Sequence, residues 1–162
     1  MVDLRTPVLN LAKALMFMRE VNGSNRSELI DEMIRRTSLD PTQRLPWCAA
    51  FVAWVGYAAL GKQWPLKRVA GCMSLYNDAR GKGLVGTVPV PGAIFLLWGT
   101  GHDGITRFKH TGFVVEKGES AVWTTREGNT NLAGSAEGDG AFERKREFKT
   151  EDRFIYWWDG VA

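Results

Sequence analysis

The chain has 162 residues, 44% of them hydrophobic and 24% charged, with a net charge of +3. That composition excludes wholesale disorder, and the length fits one compact domain that buries roughly 70% of its unfolded surface without staples. Two cysteines, Cys48 and Cys72, are too few for a disulfide framework or a four-cysteine zinc site, and a +3 balance with interspersed signs lies far from a nucleic-acid-binding extreme.

The first half reads as helical. Met1 to Pro7 lacks a basic segment followed by an apolar core, so no signal peptide is expected. Thr6 is the expected cap of a first helix, with Pro7 at its first position and Leu9, Ala12, Leu15 and Met16 at helical spacing. A second helix is predicted over Ser27 to Arg36, broken by Asp40-Pro41. A third starts near Pro46-Trp47-Cys48 and runs to Leu60, closed by Gly61. It is apolar nearly all round, which places it at the centre of the fold. Its 14-residue apolar stretch, Trp47 to Leu60, falls short of the roughly 20 that a membrane span needs, so no integral membrane segment is expected. A short helix follows around Met73 to Ala79, ended by Gly81.

The second half changes period. Ala93 to Trp98, Thr111 to Glu116, Ala121 to Glu127, Phe142 to Phe148 and Phe154 to Trp158 read as strands of one antiparallel sheet. Helices followed by strands predict an α+β domain. Half of the glycines, nine of 18, fall between Gly99 and Gly140 and read as loops around the β side.

Cys48 opens the central helix. There, unpaired backbone N–H groups and the positive end of the helix dipole favour thiolate over thiol. The competing reading is a small buried hydrophobe. A cysteine nucleophile needs a base, and the chain offers two histidines. His102 lies in the glycine-rich run Gly99 to Gly104, whereas His110 begins an expected strand, which holds a side chain more firmly. His110 is therefore the better base. If the following hairpin turns at Gly118-Glu119, Val114 faces Trp123 and His110 faces Glu127. A carboxylate beside the imidazole would orient it. Asn129 falls on the same face if the strand stays extended. An exposed cross-strand ion pair is the bland alternative.

Pro46-Trp47-Cys48-Ala49-Ala50-Phe51-Val52, Pro91-Gly92-Ala93-Ile94, His110-Thr111-Gly112-Phe113-Val114-Val115 and Glu127-Gly128-Asn129-Thr130-Asn131 together resemble the CHAP family, the cysteine, histidine-dependent amidohydrolases/peptidases. The match covers roughly residues 40 to 158, and its specificity lies in the four blocks together. The resemblance implies a papain-like, NlpC/P60-type α+β fold. It implies Cys48 as nucleophile, His110 as base, and Glu127 and Asn129 as orienting residues, without saying which of the two contacts the ring. It also implies peptidoglycan as the substrate. The calcium-binding loop of some members has no counterpart pattern here, so neither a metal nor a cofactor is expected.

The expectation is a single catalytic domain over residues 1–162, with a helical part at 1–40 and a catalytic core at 41–158, acting as a monomer. Gln43, just upstream of the nucleophile, is a weak candidate for the oxyanion site. Trp47 and Trp98 are candidates for the groove wall, with core packing the competing reading. Cys72 reads as a buried free thiol rather than a disulfide partner, and the basic run Arg144 to Arg146 reads as a solvated strand face. The activity expected is that of a muramoyl–alanine amidase or a peptidoglycan endopeptidase. A phage endolysin fits this best, held in the host cytoplasm until holin-dependent release, or carried on the virion. Alternatives are a bacterial wall-remodelling or antibacterial amidase, a zinc enzyme using both cysteines and a histidine, and a non-enzymatic wall-binding or tail module.

Overall fold

The computed structural model describes residues 3–101, 103–131 and 138–161. Helix α1 (Arg5–Ala14) begins two residues before Pro7, with Leu4 already in the helical region. The Asp3 carboxylate takes the free donors there, accepting from the Arg5 N–H at 3.1 Å and the Thr6 hydroxyl at 2.6 Å, so Thr6 is not the cap. Helix α2 (Glu28–Arg35) starts where its sequence puts it. The Ser27 hydroxyl accepts from the Ile30 N–H, and Glu28 and Asp31 stand in the positive first turn. A 3-10 turn at Pro41–Gln43 leads to α3 (Cys48–Leu60), which Gly61 closes with φ of +57°. Helix α4 (Cys72–Gly81) follows.

The sheet comprises β1 (Val85–Gly86), β2 (Ile94–Thr100), β3 (Thr106–Lys117), β4 (Val122–Thr130), β5 (Gly140–Glu147) and β6 (Arg153–Ile155). Its spatial order is β1-β6-β2-β3-β4-β5, and every pairing is antiparallel. Four α-helices and this six-stranded sheet make an α+β fold among the described residues. The strand expected over Phe154 to Trp158 stops at Ile155, and Trp157–Gly160 forms a 3-10 turn instead. The reason is Trp157: its indole N–H donates to the Gly92 carbonyl at 2.9 Å, and its ring lies 5.1 Å from that of Trp64. Strand β3 starts at Thr106, so His110 lies inside it rather than at its beginning.

The hairpin register also differs from the expected one. The loop spans residues 119–121, with the Gly118 N–H bonded to the Val122 carbonyl and Ser120 in the left-handed region at φ of +55°. Val114 faces Thr125 and Phe113 faces Arg126, after a bulge between Val114 and Glu116. Every residue of β4 is thus displaced from its predicted partner, and Glu127 comes level with Gly112 instead of His110.

One core joins the helices to the sheet. Val8, Ala12, Ile30, Met33, Phe51 and Val52 are fully buried in it with Ile94, Leu96 and Phe113. The alternate residues of β2 serve a second, smaller cluster: Phe95 packs with Val114 and Phe154. The sheet is therefore apolar on both faces, and α3 is wedged against β3 and β4. That wedge carries the start of α3 to the site.

Candidate active site

Cys48 is the first residue of α3, and the first bond within the helix runs from the Phe51 N–H to the Trp47 carbonyl at 2.8 Å. The N–H groups of Cys48, Ala49 and Ala50 therefore precede the helical ladder and are free to act on an anion. Cys48 is 3% exposed. Its sulfur lies 3.7 Å from that of Cys72, the first residue of α4, and both thiols are free. Two helices thus deliver two cysteines to one point.

His110 and Glu127 are both fully buried, and His110 Nε2 lies 2.7 Å from Glu127 Oε2. Glu127 reaches the ring past Gly112. A Cβ on Gly112 would stand 2.9 Å from Glu127 Cγ and 2.7 Å from the Arg126 carbonyl, so this glycine leaves the path open. Arg146 on β5 grips the same carboxylate with Nε on Oε1 at 2.5 Å and Nη2 on Oε2 at 2.6 Å. The Thr125 hydroxyl also donates to Oε1, at 2.5 Å. The carboxylate accepts three bonds from Arg146 and Thr125 and one from the ring, so it is ionised, and Nε2 is the nitrogen that donates to it. The other nitrogen, Nδ1, is buried with no hydrogen-bond partner among the described residues. It is the atom left to take a proton from Cys48.

The electrostatics follow the same pattern. Burial is the largest influence on Glu127 and would raise its pKa, but the Arg146 bonds and then the His110 bond outweigh it, and the carboxyl sits at about 2. Burial would likewise push His110 down, yet the neighbouring Cys48 sulfur and the Glu127 carboxylate raise it to about 9. Cys48 is held well below the ordinary thiol value, first by the Cys72 hydrogen bond. Burial opposes this, and His110 and the Ala49 N–H support it. Cys72 moves the other way, well above an ordinary thiol, because it sits against Cys48 and is buried. Cys72 therefore keeps its proton and donates it towards the Cys48 sulfur. The shifts of Cys48 and His110 both favour a Cys48 thiolate beside a His110 imidazolium.

A groove of about 920 Å³ opens on this pair. Leu45, Pro46, Trp98 and Phe108 give it apolar wall, and Arg107, Lys109, Arg146 and Lys149 outnumber Glu147 and Asp152 along it. Trp98 is at the rim, 37% exposed. Trp47 is not. It is fully buried, its indole N–H donates to Glu20 at 2.8 Å, and its ring packs edge-on against Phe51, so it belongs to the core. Gln43 is exposed in the 3-10 turn and does not line the groove. Asn129 is buried, but it sits in a bulge of β4 against β5 with φ of +54°, so the extended-strand spacing that put it on the face of His110 does not apply. The residue on the imidazole is Glu127. His102 lies outside the described residues.

Arg146 and Thr125 are the site residues that sequence reading missed. Arg146 is only 14% exposed and is not part of a solvated face. On β5, residues 142, 144 and 146 are half-buried and their neighbours 143, 145 and 147 exposed, an alternation that the all-charged run from Glu143 to Glu147 does not display in sequence. Among the described residues, no group of three His, Cys, Asp or Glu is placed to hold a metal ion, and no helix is long and apolar enough to cross a membrane. No family model matches the chain, and no curated protein matches it significantly.

Proposed function

We propose that the protein is a cysteine amidase or peptidase of the CHAP type, with a papain-like fold, that cleaves an amide or peptide bond of bacterial peptidoglycan. The observation that carries this reading is the buried Cys48–His110–Glu127 set at the head of a groove. The order of types matches the chemistry of acyl transfer: a thiol at a helix start, a base within strand, a carboxylate behind the base. The cysteine-first sequence blocks supply the family and the substrate class.

In the mechanism, His110 Nδ1 holds the proton of Cys48, and the thiolate attacks the scissile carbonyl. The N–H groups at the start of α3 receive the negative charge that develops on its oxygen. His110 then passes its proton to the leaving amine, giving a thioester to Cys48 and a free amino group. Water, deprotonated by the now neutral imidazole, hydrolyses the thioester and restores the thiolate–imidazolium pair. Glu127 holds the ring in the Nε2–H form throughout and balances its charge. Asn129 has no assigned step. A phage endolysin remains the fuller form of the reading.

The test is release of soluble fragments from purified peptidoglycan. Wild type is expected to release them and Cys48→Ala to fall by at least about 1,000-fold, the scale on which removing a nucleophile acts. Undiminished release by Cys48→Ala ends the reading. Mass spectrometry of the fragments separates a muramoyl–alanine cut from a cut within the peptides.

A further inference from the structure

Glu127 is fully buried, and a lone buried carboxylate tends to take up a proton. Three observations show what prevents this. Arg146 makes a two-pronged contact with both carboxylate oxygens, at 2.5 and 2.6 Å. The Thr125 hydroxyl adds a third donor at 2.5 Å. Arg146 itself rests against the Phe95 ring at 5.8 Å, which also lies 6.1 Å from His110, so one aromatic ring backs both the cation and the base.

We propose that Arg146 is a positioning residue of this site: it acts through Glu127, keeping the carboxylate ionised and aimed at His110 Nε2, and so sustains the Cys48 thiolate at a distance. This rests on the reading of Cys48 and His110 as nucleophile and base. The fork matters as well as the charge. A guanidinium fixes both oxygens in one plane, whereas an ammonium bonds one and lets the carboxylate rotate.

Charged and titratable groups meet the chain of contacts from every side. Glu127 faces His110 from β3 and Arg146 from β5. His110 faces Cys48 from α3, and Cys48 faces Cys72 from α4. Arg107 on β3 acts more remotely, on Cys72. Removing Arg146 raises the proton affinity of Glu127. Once Glu127 is protonated the imidazolium loses its counter-charge, and Cys48 reverts to thiol. The effect is confined to the acid side, because at high pH Glu127 ionises with or without Arg146.

The experiment follows the pH dependence of iodoacetamide alkylation at Cys48, located by mass spectrometry, in wild type, Arg146→Gln, Arg146→Lys, Glu127→Gln and the Glu127→Gln/Arg146→Gln double variant. This needs no substrate. The acid limb of Arg146→Gln is expected about one pH unit or more above wild type, with the alkaline limb unmoved. Arg146→Lys should lie between. In the Glu127→Gln background the Arg146→Gln change should add nothing, and that comparison stands even if Arg146→Gln alone folds poorly, since the double variant leaves no buried unpaired charge. An unmoved acid limb overturns the proposal, as does an equal effect of Arg146→Gln with Glu127 absent. Absence of any reactive thiolate in wild type below pH 7 overturns instead the reading of Cys48 as nucleophile. The two failures are thus distinct.

Discussion

In the unfolded chain His110 titrates near 6.5 and Cys48 near 9.0, their ordinary values. Folding reverses the order. His110 rises to about 9, so its contribution to stability is complete below pH 6.5 and is lost as pH climbs through 9. Cys48 is lowered, so its contribution is complete above 9.0 and is lost as pH falls. Where Cys48 is ionised in the folded state and the pH lies between 6.5 and about 9, the folded ion pair and the unfolded neutral pair bind the same number of protons. The two slopes cancel there. The difference in Tm between wild type and a Cys48→Ala/His110→Gln double variant, which removes both titrations, is therefore expected to be level across this window. Thermal melts at half-unit steps of pH check this, and a steady slope through the window contradicts it. Glu127, at about 2 against an ordinary 4.5, adds its own loss only on the far acid side.

Strands and helices set the distances between these groups, and here small residues decide. Gly112 and Gly128 lie inside β3 and β4, not in loops. A Cβ on Gly128 would stand 2.6 Å from the Trp47 ring and 2.7 Å from Phe51 Cβ, which is why β4 can approach α3 so closely. Gly112→Ala is expected to push Glu127 off its line to His110, because the opposing Arg126 carbonyl, backbone at 2.7 Å, cannot give way. Overpacking of this kind costs about 1–3 kcal/mol, and activity should fall at least about 10-fold. Paired measurements of Tm and fragment release decide it: a variant with wild-type activity would show that Glu127 needs no such passage.

The hairpin shows where sequence reading stops at this scale. Cys48 and His110 were legible because a capped apolar helix and a strand rich in Val and Phe each have a readable period. The register was not, because the three-residue loop and the bulge beside Glu116 have no signature stronger than the Gly118-Glu119 pair. The contact between His110 and Glu127 survives this error for a physical reason. A displacement by two residues keeps a side chain on its face, and a long glutamate crosses the gap that Gly112 leaves. Arg146 stayed hidden because Glu143 to Glu147 is charged at every position, so neither face of β5 carries an apolar stripe.

Over the whole molecule, the division at residue 40 does not describe the packing. Val8, Ala12, Ile30 and Met33 are fully buried in the same core as Cys48 and Phe51. The Arg126 guanidinium donates to the Leu9 carbonyl at 2.8 Å, and Trp47, next to Cys48, donates its indole N–H to Glu20. A chain of residues 41–162 would expose that apolar surface, cost Arg126 its Leu9 acceptor while sparing Glu143, and leave Trp47 without Glu20. It is expected to lose cooperative unfolding, which calorimetry would show as a missing transition. A sharp transition near that of the full chain would establish the first 40 residues as a separable layer. The α+β class was legible from the change of period at Ala93, but this interlock was not, since it depends on contacts 27 and 117 residues apart in sequence.

Trp98 gives the groove an optical property. Of the seven tryptophans, Trp47, Trp64 and Trp157 are buried, Trp54, Trp123 and Trp158 are partly so, and only Trp98 stands exposed, at the rim above the reacting pair. Its indole emits from water while the others emit from apolar or half-shielded surroundings. A molecule that settles along the groove displaces that water, and the red edge of the protein's intrinsic fluorescence then reports occupancy with no label attached, separately from any bond that is cut.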